Sequence, residues 1–137
     1  MPLVRISLLK GRPPELRRKI GDAIHRALVE EINVPPHDRF QILTEHEPGD
    51  LLYDSEYLGI VRTDQIVIVQ ITMNVGRTLA LKRALIRRIA DNLAALGVRR
   101  EDAWVNLVEV AKENWSKENW SFGNGVASYA PAETETA

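Results

Sequence analysis

The chain has 137 residues, 45% hydrophobic and 27% charged, with a net charge of −1. That length buries one core without covalent staples, and the balanced charge gives nucleic acid or an anionic membrane no handle. With no cysteine, disulfides, thiolate metal sites and cysteine nucleophiles are excluded, and no apolar run approaches a membrane span.

In chain order, residues 3–9 (LVRISLL) read as a strand closed by Gly11-Arg12. From Pro13 the pattern turns helical: Leu16, Ile20, Ala23, Ala27 and Leu28 share one face, and Pro13 or Pro14 suits the first turn. Val34-Pro35-Pro36 ends that helix, and residues 39–45 (RFQILTE) form a second strand. Residues 46–65 are a long connection with a short strand expected near 51–53. Residues 66–73 (IVIVQITM) are the next strand, Gly76-Arg77 closes it, and a helix is expected over about 79–96. The polar tail 131–137 (PAETETA) is expected to be disordered, which leaves residues 1–130 as a single domain.

The chain is written twice. Gly11-Arg12 corresponds to Gly76-Arg77, and Leu16, Ile20, Ile24 and Leu28 correspond to Leu81, Leu85, Ile89 and Leu93, all displaced by 65. Beyond the helices the displacement is 64, taking Val34 to Val98, Asp38 to Asp102, Phe40 to Trp104 and Glu45 to Glu109. An amphipathic stripe alone is unremarkable; the shared Gly-Arg and Asp positions make duplication the better reading. Each half, about 2–45 and 66–110, is then a β-α-β unit, whose crossover makes its two strands parallel. The fold class is α/β (α+β): a four-stranded mixed sheet with two helices on one face. Strands apolar at nearly every position suggest that other subunits cover the second face, with Trp104 in the core.

Geometry narrows the candidates for chemistry. Pro2 opens the first strand and Asp38 precedes the second, so parallel pairing brings both to one end of the sheet. Arg12 lies at the far end, about 30 Å from Pro2, and serves a Pro2 site only across a subunit boundary. If the halves pack about a pseudo-two-fold axis, their central strands run antiparallel and Arg77 comes to the Pro2 end. At a free N-terminus the proline nitrogen is a secondary amine. A retained Met1 makes it an amide without usable basicity, so a catalytic Pro2 requires a cut Met1–Pro2 bond.

Several motifs together carry a family likeness: Pro2 after a removable methionine, the two β-α-β halves, Gly-Arg after each first strand, Asp38-Arg39-Phe40-Gln41, and residues 118–125 (ENWSFGNG). Over about residues 2–130 the chain resembles the tautomerase superfamily, and within it the malonate semialdehyde decarboxylase-like group. The resemblance implies a homotrimer with Pro2 as catalytic acid or base. It further implies Asp38 as the catalytic aspartate, Arg77 as a carboxylate-binding arginine, and Trp120, Phe122 and Tyr129 as aromatic pocket walls. The decarboxylase pattern Arg-Pro-Arg after the third strand is replaced here by Asn74-Val75-Gly76-Arg77, one arginine fewer and one residue longer.

Each candidate has a plainer reading. Asp38 could cap the turn into its strand, since Asp102 holds the equivalent place and needs no catalytic role, and Arg12 could be surface. His25, His37 and His46 offer no pair at metal-ligand spacing, so neither metal nor other cofactor is expected. The stretch KENWSKENWS repeats five residues in tandem and lengthens a loop bordering the site. Either Trp115 or Trp120 then lines the pocket, and adjacency to Phe122 favours Trp120. No basic-then-apolar leader precedes the first strand. A cytoplasmic location is therefore expected, and the Asn-Trp-Ser triplets at Asn114 and Asn119 carry no glycosylation meaning.

The expected activity is cofactor-free tautomerisation of a small 2-oxo or 3-oxo acid. Decarboxylation or hydration with a protonated Pro2 is the second reading, and a trimeric binding module without turnover the third.

Overall fold

The computed structural model describes residues 2–116. Strands β1 (Leu3–Leu9), β2 (Gln41–His46), β3 (Val67–Asn74) and β4 (Ala103–Val110) form one sheet, with helices α1 (Pro14–Ile32) and α2 (Leu79–Ala94) between the members of each half. The sheet order is β2-β1-β3-β4. β1 pairs with β2 in parallel, β3 pairs with β4 in parallel, and β1 and β3 run antiparallel.

The duplication is visible in the pairing itself. Arg5 lies opposite Gln70, and the two are also equivalents, since 70 − 5 = 65. The pseudo-two-fold axis therefore passes between them. Gly11 and Gly76, equivalents two residues past β1 and β3, share φ of +128° and +122°, a conformation that penalises any side chain.

Both helices begin and end for local reasons. Pro13 stands at the N-cap of α1 with Pro14 in its first turn, where a missing N–H costs nothing. Asn33, left-handed at φ 56°, ends α1, and Val34 N donates back to the Leu28 carbonyl at 3.2 Å. Thr78 caps α2 by accepting from Leu81 N.

The core lies between helices and sheet. Val4, Ile6, Leu8, Val67, Val69, Ile71 and Met73 meet Ile20, Ile24, Leu28, Leu85, Ile89 and Leu93, each at most 1% exposed. Complete burial of such a side chain stabilises by about 1.5–3 kcal/mol. A smaller cluster of Leu9, Leu51 and Ile66 pins the connection to the sheet.

Three expectations are corrected. Residues 51–53 form no strand; Leu51 is held through its side chain rather than by a backbone ladder. Trp104 is not core: it is 43% exposed, on the sheet face away from the helices, with the Arg62 guanidinium 4.8 Å from its ring centroid. That face is also less apolar than the strands suggested, because polar Arg5, Gln70 and Asn106 alternate outward with the buried positions. Helices cover only one side, so the period-2 alternation survives on every strand.

Candidate active site

Sheet register assembles one end of the molecule around Pro2. Val4 N donates to the Phe40 carbonyl at 3.0 Å, and Val4 stands opposite Gln41. Continued by two residues, that register puts Pro2 level with Arg39 and one residue from Asp38. On the other side Leu3 faces Thr72, which continued by one residue brings Pro2 beside Met73. Pro2 is buried, while Asp38 is half-buried in a turn in which its N–H donates to the Pro35 carbonyl at 2.9 Å.

Pro2 lies in a cavity of about 210 Å³ with Leu3, Phe40, Trp115 and Ser116. Its walls are mostly hydrocarbon, an environment that disfavours a charged amine. Arg39 does not turn into this cavity. Its guanidinium pairs with Asp22 at 2.7 Å and donates to Gln41 Oε1 at 2.9 Å, while Gln41 Nε2 donates to the Gly21 carbonyl at 2.8 Å. Gly21 makes room for this arrangement, since a Cβ there would lie 2.8 Å from Gln41 Oε1.

Arg77 reaches the same end within one chain, as antiparallel central strands require, but it lines an adjoining cavity. That space, of about 380 Å³, is bounded by Asn74, Val75, Gly76, Arg77, Leu81 and Lys112. Arg77 Nη1 donates to the Asn74 carbonyl at 3.0 Å, and the remaining guanidinium donors suit a carboxylate. Lys112 is a second cation there that sequence reading passed over. Asn74 also receives the indole: Trp115 Nε1 donates to its Oδ1 at 2.6 Å.

Arg12 occupies the opposite end. It is only 7% exposed and donates to the Gln65 carbonyl. Burial lowers its pKa from the usual arginine value, and neighbouring Asp102 partly opposes that. Among the sequence candidates, Pro2, Asp38 and Arg77 thus share one end and Arg12 does not. Trp120, Phe122 and Tyr129 lie outside the described residues, as does the tail 131–137.

Phe40 and Trp115 are the aromatic walls that the described residues provide. Period-2 alternation with Ile42 and Thr44 could have placed Phe40 on the open face. Asn74, a polar residue ending an apolar strand, was the available signal for that position. Among the described residues no group of three or more His, Asp or Glu side chains is placed to hold a metal ion, and no helix is long and apolar enough to cross a membrane.

Known proteins resemble this chain in sequence and fold. Two models of a tautomerase enzyme family match, over residues 38–123 and 2–60. The probable tautomerase YusQ of Bacillus subtilis (strain 168) is 40% identical over 128 residues, covering 93% of this chain and 97% of that protein. The crystal structure of FG41 malonate semialdehyde decarboxylase inhibited by 3-bromopropiolate superposes with a TM-score of 0.80 at 39% identity, over 87% of this chain and 91% of that one. A fused 4-OT, described as a wild-type symmetric trimer, gives a TM-score of 0.72 at 25% identity, over 85% and 92%. A doubled β-α-β sheet and relatives that cover most of the chain place it plainly: the chain belongs to the tautomerase enzyme family.

Proposed function

We propose that the protein is a cofactor-independent tautomerase in which Pro2, freed by removal of Met1, moves a proton between positions of an enolisable 2-oxo or 3-oxo acid. The observation that carries this reading is the buried Pro2 in an apolar cavity with Phe40 and Trp115, level with the turn that holds Asp38. An α-amine titrates near 8 in water. Apolar walls and a nearby arginine both favour its neutral form, the form that takes a proton. Asp38 opposes them and orients the ammonium once formed. Arg77 binds the substrate carboxylate and stabilises enolate charge as it develops. A base tuned in this way contributes about 10²–10⁴-fold.

The site assembles in a homotrimer, as the fused 4-OT forms a symmetric trimer. Side chains such as Ile42 and Trp104 on the open sheet face, and Leu52 and Leu58 on the connection, are the exposed hydrophobics that partner subunits would cover. Arg12 would contribute only from a neighbouring subunit.

The test combines intact mass with kinetics. Mass should show loss of Met1, and Pro2→Ala should slow ketonisation of phenylenolpyruvate by about 10²–10⁴-fold; undiminished rates in that variant refute the Pro2 mechanism. The likeness to a malonate semialdehyde decarboxylase favours a second reading, in which protonated Pro2 polarises a carbonyl for decarboxylation or hydration. NMR titration of Pro2 separates the two, because a pKa clearly above 8 counts against the base. A wild-type chain inert toward every keto acid tried points instead to a binding module.

A further inference from the structure

Asp38 stands in the irregular segment that joins α1 to β2, and helix α1 holds that segment on both sides of it. Upstream, His25 Nε2 lies 2.7 Å from the Pro36 carbonyl oxygen. Downstream, Asp22 pairs with Arg39 at 2.7 Å, and the Gly21 carbonyl accepts from Gln41 Nε2 at 2.8 Å. Gly21, Asp22 and His25 stand at i, i+1 and i+4 along α1, so one side of the helix carries all three.

We infer that His25 is a positioning residue: from α1 it fixes the turn that carries Asp38, which deepens the proton-transfer reading above and rests on its aspartate. Pro35 and Pro36 have no N–H, so hydrogen bonds can hold the turn there only through their carbonyl oxygens. The Pro35 oxygen accepts from Asp38 N at 2.9 Å and closes the turn on itself. The Pro36 oxygen accepts from His25 and ties the closed turn to the helix. A carbonyl only accepts, so Nε2 carries the hydrogen in this bond, in the imidazole and the imidazolium alike. The Asp22–Arg39 pair adds less, because both side chains reach solvent and water screens them. Beyond Asp38 the strand pairing takes over, with Val4 N donating to the Phe40 carbonyl at 3.0 Å. Without the His25 bond the turn hinges on that downstream side.

The test uses the full-length, Met1-processed protein with phenylenolpyruvate. His25→Leu removes the donor, and His25→Gln keeps an N–H at comparable reach. His25→Leu should lower kcat by about 3- to 10-fold, the range of one neutral hydrogen bond, with KM nearly unchanged because Arg77 is untouched. His25→Gln should restore most of that loss. In an Asp38→Ala background His25→Leu should cost nothing further, since it acts through that aspartate. A substitution that merely unfolds part of the sample would lower activity by the same factor in both backgrounds.

Amide hydrogen exchange, followed by NMR, gives a readout without turnover. The Asp38 N–H should exchange about 3- to 10-fold faster in His25→Leu and at the wild-type rate in His25→Gln. The Ile6 N–H, in the middle of β1, should keep its rate in both. Unchanged Asp38 exchange in His25→Leu, a Gln variant as impaired as the Leu variant, or an undiminished loss in the Asp38→Ala background would overturn the inference. Full rates in Pro2→Ala and Asp38→Ala, with Asp38 exchange still faster in His25→Leu, would instead refute the proton-transfer reading and leave the His25 tether standing.

Discussion

At one end of the sheet, Asp102 is fully buried and accepts from Thr63 N and Thr63 Oγ1, both at 2.7 Å. Its duplicate at the other end, Asp38, is half-buried in the turn that follows Pro35. The arginines differ in the same sense. Arg12 is buried and bonded to the Gln65 carbonyl. Arg77 has one bond to the Asn74 carbonyl and borders a cavity. Where the first half offers Pro2, the second offers Val67, a fully buried core residue in mid-chain. Duplication delivered Asp, Arg and a strand start to both ends. Continuous chain and a hydroxyl sealed one of them, and the other borders two cavities.

The contrast can be broken most forcefully at the strand starts. Pro2→Ala should cut kcat/KM by about 10²–10⁴-fold with little change in the unfolding midpoint. Val67→Ala should do the reverse, costing about 2 kcal/mol in denaturant unfolding with kcat preserved. Loss of activity in Val67→Ala equal to that in Pro2→Ala would erase the distinction between the ends.

The aspartates come next. Asp102→Ala strands the Thr63 donors and the buried Arg12 cation, and should cost about 3–5 kcal/mol by chemical denaturation. Asp38→Ala should cost under about 1 kcal/mol and act on kcat instead. For the arginines, Arg77→Ala should raise KM for keto acids by about 10- to 100-fold, the scale of a charged hydrogen bond. Arg12→Met should move the unfolding midpoint first. A KM rise in Arg12→Met as large as that in Arg77→Ala would show Arg12 serving a neighbouring site.

The smallest effect sits on the connection. Tyr53 hydroxyl donates to Asp64 Oδ1 at 2.6 Å, and this bond raises its pKa from the model-compound value of 10.0. A phenol held protonated in the folded state stabilises fully below its unfolded pKa, and that contribution is lost as pH climbs through the raised value. Thermal midpoints of the wild type should thus fall faster than those of Tyr53→Phe above about pH 10, and parallel curves would show the bond to be immaterial.

Much of this was legible in the letters. The Gly-Arg pairs and the displaced apolar stripes identified two β-α-β units, because helix and strand periods are local properties of the chain. Pairing Asp38 with Pro2 also followed, since a β-α-β crossover leaves its strands parallel. Trp104 was misread for a reason equally physical: apolar character says that a side chain seeks cover, and within this chain the helices cover only one face. Asn74 stayed silent because its importance lies in two partners, one three residues away and the other 41 residues along the chain.

The sequence by itself determined the doubled architecture, the order of its elements, and which residue types arrive at each end. Those follow from periodicity, turn chemistry and the handedness of crossovers, all short-range constraints. Only the tertiary structure decided that Asp102 is fully buried on Thr63 while Asp38 is half-buried, and that an indole bonded to Asn74 walls the Pro2 cavity. Such outcomes depend on which distant side chain supplies the complementary donor or acceptor, and chain folding alone brings those atoms within hydrogen-bond reach.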